Sequence, residues 1–250
     1  MSGKTIARLI IVVLAGIALG GIVTLATRPR AAPQPLPPLP PPPAIDAPRG
    51  ELPSGIVSFV EQVQTGLGYA AIGCGFLLQL PNGDVIGVTT AHSLGEDRFD
   101  PIAFVAAGRG DTVATFTSLY APLGKPRTGA NMTIDYVLMI PDAPVDPSIV
   151  LQPDPRGGPQ PGERVSLYSG LGDGQGGPRV LQGTIESVDE NGAWIRMDES
   201  FNAGGMSGSP ILSQHTGRVV GVTIVMNWTP GMLRIGINPI GSIVDKALSK

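Results

Sequence analysis

Short apolar or alternating runs, separated by turn residues, are the feature that most constrains the fold of this chain. They occupy residues 71–80, 85–90, 112–119, 136–140, 164–168, 180–188, 193–197, 219–226 and 232–237. Runs of this length are typical of β-strands. Asn82-Gly83 and Asn191-Gly192 lie between neighbouring runs and predict tight hairpin turns. The pattern predicts an all-β domain, with residues 56–63 ambiguous between helix and strand.

The end of the chain is the exception to this β pattern. Ile243, Val244, Ala247 and Leu248 recur at helical spacing after Pro239, which predicts a C-terminal helix. Many short strands followed by one helix predict two packed antiparallel β-barrels of a six-stranded type. The sequence contains one cysteine, so an intrachain disulfide framework is excluded and the core must stabilise the fold.

Charge and composition exclude several classes of function. The net charge is −3 and no stripe of basic residues appears, which argues against nucleic-acid binding. The glycine-rich loop at 170–177 superficially resembles a nucleotide-binding motif. It lacks the strand–turn–helix context which that motif requires. We therefore expect no cofactor and no metal.

Residues 1–30 form a segment of their own. Lys4 and Arg8 precede an apolar run over 9–26, which would rise about 27 Å as a helix, close to the thickness of a membrane. The run predicts a transmembrane anchor with the N-terminus in the cytoplasm and the remaining chain in the periplasm or extracellular space. A cleaved signal peptide is the alternative, because Thr24-Leu25-Ala26 is compatible with a cleavage site.

Residues 31–52 are rich in proline and predict a linker. Proline fixes φ and lacks an N–H donor, so the stretch favours extended polyproline II and would act as a spacer. A ligand for a proline-recognising module is the alternative, since the segment contains P-x-x-P. Residues 53–250 then form a single large domain.

The segment 205–210 reads G-M-S-G-S-P and carries the strongest chemical signal. A serine flanked by glycines has an exposed hydroxyl and a backbone that is free to bend. That bend allows main-chain N–H groups to converge on a carbonyl oxygen under attack. We predict Ser207 as a nucleophile and the N–H groups of Gly205 and Ser207 as an oxyanion hole.

A serine hydroxyl needs a base within hydrogen-bond reach, and imidazole suits neutral pH. The chain has two histidines. His92 follows a strand and opens a loop, whereas His215 lies in a polar turn and is expected to be solvated. Asp135 opens an apolar strand, where a partly buried carboxylate would be stabilised by a histidine N–H. We predict His92 as the base and Asp135 as its partner.

With these residues in the order His, Asp, Ser, the chain resembles the chymotrypsin-like serine peptidases, and their disulfide-free bacterial members in particular. The motifs are T-A-H at 90–92, D-Y-V-L-M at 135–139 and G-M-S-G-S-P at 205–210. Segments 162–170 and 182–188 resemble the strands that precede the nucleophile loop. The resemblance covers about residues 55–248. It implies a serine endopeptidase that acts on proteins or peptides.

The resemblance also places a substrate pocket and marks departures from the family. The implied pocket contains Phe201, Asn202, Thr223, Ile224, Val225 and Met226. It holds no acid, so we expect cleavage after small or apolar residues. Met206 stands where activated digestive members have an aspartate that pairs with a newly cut N-terminus. We therefore expect activity without processing. Cys74 is expected to be a buried small residue.

Alternative functions place different requirements on the sequence. The α/β-hydrolase elbow requires glycine at 209, where this chain has serine, and an acid and a histidine after the nucleophile. The only later histidine is His215, eight residues on, so this alternative is rejected. A trypsin-fold binding or scaffold protein with an idle triad is the main alternative. A peptidase dedicated to one envelope signalling partner is another.

Overall fold

The computed structural model of the protein describes residues 36–65, 68–94, 99–171 and 179–249. The expected transmembrane anchor at 1–30 lies outside the described residues, as does most of the glycine-rich loop at 170–177. Within the described ranges, no helix is both long and apolar enough to cross a membrane. A compact unit begins at Leu39.

The first half of the domain is an eight-stranded sheet with the strand order β5-β4-β1-β2-β3-β7-β6, and β8 lies parallel to β2. A 3₁₀ turn over Pro147–Ile149 precedes β8. The strands are β1 (Phe59–Thr65), β2 (Gly68–Gln79), β3 (Val85–Thr89), β4 (Ile102–Val105), β5 (Thr112–Phe116), β6 (Ser118–Leu119), β7 (Val137–Ile140) and β8 (Val150–Leu151). The short helix α1 (Ala91–Leu94) follows β3.

The second half is a closed barrel in which the strands follow the order β10-β11-β14-β13-β12-β9. The terminal helix α2 (Ile240–Leu248) leaves β14 directly. The strands are β9 (Arg164–Ser169), β10 (Arg179–Asp189), β11 (Gly192–Met197), β12 (Pro210–Ser213), β13 (Val219–Thr229) and β14 (Met232–Pro239).

The two-barrel-type all-β fold with a C-terminal helix is confirmed, with one difference between the halves. The second half closes with six strands, as expected, whereas the first half is an eight-stranded sheet. Strands β6 and β8 are two residues long, which is too short to leave an alternating pattern in the sequence. The ambiguous run at 56–63 contributes to β1, which has a bulge between Glu61 and Gln62.

Three apolar clusters form the core. One fills the second barrel and another fills the first sheet. The third contains Phe76 and Leu138 from the first half with Leu212 and Ile240 from the second. Burial of one such side chain contributes about 1.5–3 kcal/mol. This shared cluster fixes the two halves against each other, and the candidate functional residues come from both.

The proline-rich segment does not act as a free spacer over its whole length. His215 Nε2 lies 2.8 Å from the carbonyl oxygen of Ala47, and the N–H of Gly50 donates to the His215 carbonyl oxygen at 3.0 Å. The Tyr168 hydroxyl donates to the carbonyl oxygen of Pro53. His215 is half-buried in these contacts and not solvated as expected. A segment with few internal hydrogen bonds pairs its polar backbone groups with the barrel instead.

Candidate active site

The structure brings His92, Asp135 and Ser207 together. The Nδ1 atom of His92 lies 2.8 Å from Oδ2 of Asp135, and its Nε2 atom lies 2.8 Å from Oγ of Ser207. His92 belongs to α1, Asp135 precedes β7 and Ser207 precedes β12. Two of the residues come from the first half and one comes from the second half, so the site depends on how the halves pack.

Asp135 is buried, and three N–H groups converge on its carboxylate. Its side chain has 0% exposure. Oδ1 accepts from the backbone N–H of His92 at 3.1 Å, and Oδ2 accepts from the backbone N–H of Arg127 at 3.0 Å. The His92 ring completes the set. A buried carboxylate requires such donors, and here they fix its orientation towards the imidazole.

These contacts also determine the tautomer of His92. A carboxylate accepts hydrogen bonds, so Nδ1 carries the hydrogen and donates it to Asp135. In the neutral ring, Nε2 is then unprotonated and faces the Ser207 hydroxyl. The ring is about one third exposed, which leaves its edge accessible from the cleft. The arrangement can therefore remove a proton from the serine.

The nucleophile loop owes its shape to two glycines with positive φ. Gly205 has φ of 80° and Gly208 has φ of 87°, a region that other residues rarely adopt. A Cβ on Gly208 would also collide with the carbonyl oxygen of Cys74. Met206 between them is fully buried in the core cluster of the second barrel. The apolar anchor and the two glycines turn Ser207 outward.

Two N–H groups of this loop remain available. Gly204, Met206, Gly208 and Ser209 donate to oxygen atoms of Asn202, Ala203, Thr223 and Met206, respectively. The N–H groups of Gly205 and Ser207 donate to none of the residues that the structure describes. They are the two donors that the sequence indicated for an oxyanion hole.

Cys74 connects the loop to β2. Its N–H donates to the carbonyl oxygen of Ser207 at 2.8 Å, and its Sγ lies 3.5 Å from the carbonyl oxygen of Gly205. Burial raises the pKa of its thiol above the ordinary value of 9.0. The expectation that Cys74 is buried is confirmed.

The loop that carries Asp135 is docked onto the second half. The carbonyl oxygen of Thr133 accepts from Asn238 Nδ2 on β14 and from the Ser242 hydroxyl on α2, both at 3.3 Å. The N–H of Met132 donates to the carbonyl oxygen of Asn191 at 2.8 Å. Sequence reasoning missed these residues and the Arg127 N–H, because backbone donors and distant amides leave no local pattern.

A cleft of about 460 Å³ opens beside Ser207. Of the residues that the resemblance placed in the pocket, Thr223, Ile224, Val225 and Met226 line it, whereas Phe201 and Asn202 do not. Phe201 packs against the barrel core, and Asn202 accepts from the N–H of Gly204. The full lining comprises His92, Arg127, Ala203, Gly204, Gly205, Ser207, Thr223, Ile224, Val225, Met226 and Ile235.

The sequence profile of the trypsin-like peptidase domain matches residues 73–222, a range that contains His92, Asp135 and Ser207. This match covers more than half of the chain, and the protein belongs to the trypsin-like peptidase family. No curated protein sequence matches the chain.

Several solved structures share the fold of this chain at low sequence identity. A thermostable serine protease from an extremophilic microorganism is 14% identical, with a TM-score of 0.55, over 77% of this chain and 94% of its own. Kallikrein-related peptidase 10 in complex with Zn²⁺ is 16% identical, with a TM-score of 0.53, over 75% and 92%. Human heparin binding protein is 14% identical, with a TM-score of 0.55, over 81% and 94%. Structural similarity at this level of sequence identity establishes the fold. The activity has to be argued from the residues of the site.

Proposed function

We propose that the protein is a serine endopeptidase in which Ser207 is the nucleophile, His92 is the general base and Asp135 orients the imidazole. The observation that carries the proposal is the continuous line of contacts from Asp135 through His92 to Ser207, each 2.8 Å long. The two available N–H groups beside Ser207 complete the set that acyl transfer requires.

The reaction follows from this geometry. Ser207 Oγ bonds to the carbonyl carbon of the scissile peptide while its proton moves to His92 Nε2. The N–H groups of Gly205 and Ser207 stabilise the oxyanion, at about 3–4 kcal/mol for each donor. The tetrahedral intermediate breaks its C–N bond as Nε2 returns the proton to the leaving amine. Water then attacks the acyl-enzyme by the same route, which releases the acid and restores Ser207.

The lining of the cleft supports a substrate with a small or apolar residue before the scissile bond. Ala203, Val225 and Ile235 line the cleft, and it has no acidic lining residue among those described. β-Branched side chains narrow the space, and an acid that would pair with lysine or arginine is missing. A peptide library read by mass spectrometry tests this preference. Dominant cleavage after charged residues would contradict it.

Activity without proteolytic processing is part of the proposal. Met206 is fully buried among apolar side chains. This position therefore has no carboxylate that could form an ion pair with a newly cut N-terminus. Protein with an extended N-terminus should therefore hydrolyse peptides as fast as protein with a trimmed one. Activity that appears only after a cut would overturn this point.

We also propose that the chain is tethered to a membrane, with the peptidase domain outside the cytoplasm. The support is the apolar run at 9–26 with basic residues before it. Fractionation should recover the full chain with membranes after a high-salt wash and the chain without residues 1–30 in the soluble fraction. Recovery of both in the soluble fraction would refute the tether.

The decisive experiment is the reaction of the full chain with a fluorophosphonate, which labels only an activated serine. Labelling is expected for the native protein and not for Ser207→Ala. An idle binding protein with the same fold would fail to react. Hydrolysis of casein then separates a general peptidase from one dedicated to a single partner, which would label but leave casein intact.

A further inference from the structure

A buried glutamate that the proposed mechanism does not use lies beside the nucleophile loop. Glu61 on β1 has 0% exposure. It faces Gly73 on β2 in register. A Cβ on Gly73 would lie 2.9 Å from Glu61 Oε2 and 3.2 Å from the carbonyl oxygen of Ser207. A methyl group added at Gly73 would thus touch both the Glu61 carboxyl group and the backbone of the nucleophile.

The hydrogen bonds around Thr89 determine the form in which Glu61 fits. Thr89 Oγ1 lies 2.7 Å from Glu61 Oε2 and 2.8 Å from the carbonyl oxygen of Cys74. A hydroxyl has one hydrogen to donate and cannot satisfy both oxygens. A neutral carboxyl group resolves this, because Glu61 then donates to Thr89, and Thr89 donates to Cys74.

The other carboxyl oxygen supports the same form. Glu61 Oε1 is buried and has no hydrogen-bond partner among the described residues. None of the ion pairs found in the described ranges involves Glu61. A buried carboxylate with one hydroxyl donor and no cation is strongly disfavoured.

This hydrogen-bond chain ends at the nucleophile loop. The Cys74 carbonyl oxygen that Thr89 holds is also the atom against which Gly208 packs. The N–H of Cys74 donates to the carbonyl oxygen of Ser207. If Glu61 loses its proton, the carboxylate competes for the Thr89 hydrogen and Cys74 loses a donor. The contact that holds Ser207 is then weakened.

The groups around Glu61 define the pH range. Burial raises the pKa of Glu61 to about 8, against the opposing hydrogen bond from Thr89. Facing it are Thr89 on β3, Phe104 on β4 and Ser93 on α1, none of which carries a charge. The Cys74 thiol on β2 also titrates, but its pKa lies above 9.0.

We propose that neutral Glu61 is a positioning residue that holds the nucleophile loop through Thr89 and Cys74, and that its deprotonation sets the alkaline limit of Ser207 reactivity. The second clause rests on the proposed peptidase function. The first clause concerns only the hydrogen-bond chain and stands without it.

The first test measures the rate of fluorophosphonate labelling of the full chain between about pH 6 and about pH 10. The native rate should fall above about pH 8, whereas Glu61→Gln, whose amide donates at every pH, should move that fall upward by more than about one unit. Each profile is normalised to its own maximum. Glu61→Leu, which neither ionises nor competes for the Thr89 hydrogen, should also lack the fall above about pH 8. Cys74→Ser should keep the native limb. An unchanged limb in Glu61→Gln would overturn the proposal.

The second test does not depend on reactivity. Infrared spectroscopy of the native protein near about pH 6 should show the carbonyl band of a neutral carboxylic acid, absent in Glu61→Gln and lost by about pH 10. Absence of this band would refute neutral Glu61. Failure of the native protein to label at any pH would instead overturn the peptidase assignment and the reactivity clause, while the infrared result still decides the state of Glu61.

Discussion

Each half of the domain buries a glutamate, and the two halves treat it differently. Glu163 in the second barrel has 1% exposure. It accepts from both terminal nitrogens of Arg156 at 2.9 and 3.2 Å, from the N–H of Gln160 and from the Ser213 hydroxyl. Glu61 in the first sheet has the hydroxyl of Thr89. Both glutamates are fully buried, but among the described residues only Glu163 has a cation, Arg156, that compensates its charge.

The comparison extends to the site. The second barrel contributes backbone N–H groups and the buried Met206 to the nucleophile loop, and neither titrates. The first half contributes His92, Asp135 and Glu61, which are all ionisable. Arg156 compensates the buried charge of Glu163, whereas His92, Asp135 and Glu61 lie at or beside the site. The pH dependence of function should therefore originate in the first half.

The largest expected effect is that of Asp135→Asn. An amide stabilises the wrong tautomer of His92, so the labelling rate and peptide hydrolysis should fall by about 10⁴-fold. The exposed Asp142, bonded to Thr117 at the end of β7, provides the matched control, and Asp142→Asn should leave the rate unchanged. A loss of less than about tenfold for Asp135→Asn would remove Asp135 from the mechanism.

Arg156→Met tests the charge compensation in the second barrel. The change leaves Asp154 and Glu163 buried without their cation, and it should lower the free energy of unfolding by about 3–5 kcal/mol. Chemical denaturation measures this loss. Adding Glu163→Gln should recover part of it, since one uncompensated charge is removed. A loss of less than about 1 kcal/mol would show that charge compensation by Arg156 is not what distinguishes the second half from the first.

Glu61→Gln tests the uncompensated carboxyl group through stability. The unfolded chain releases this proton near the ordinary pKa of 4.5, whereas the folded chain keeps it up to about 8. Folding therefore takes up a proton, and native stability should fall as pH rises from 4.5 towards 8 and then level off. Glu61→Gln lacks this fall. Its free energy of unfolding relative to the native protein should therefore rise between pH 4.5 and about 8, by the order of a few kcal/mol. Parallel stability profiles from urea titrations would contradict a neutral Glu61.

Arg127→Ala should have the smallest effect. Its backbone N–H holds Asp135, while its exposed guanidinium donates to the carbonyl oxygen of Gly129. Alanine keeps the N–H, so the free energy of unfolding should change by no more than about 0.5 kcal/mol. A loss as large as that of Arg156→Met would mean that the first half also uses an arginine for charge compensation.

Much of the fold and part of the site were accessible from local patterns. Alternation and turn residues predicted most strands, and the G-M-S-G-S-P segment predicted the loop around Ser207. The glycines at 205 and 208 adopt the positive φ that such a loop needs. Phe201 and Asn202 were assigned to the pocket by resemblance, but the chain turns them towards the core and the adjacent loop. Ile235 and Ala203 line the cleft instead.

The sequence by itself determined the order of the three motifs, the flexibility of the nucleophile loop and the apolar character of Met206, because each depends on a residue and its neighbours. Only the tertiary structure decided the eight-stranded first sheet, the Arg127 N–H on Asp135 and the burial of Glu61 beside Ser207. The physical reason is that backbone donors are the same in nearly every residue. The degree of compensation at a buried carboxyl also depends on side chains that are distant in sequence, and no local pattern records their approach.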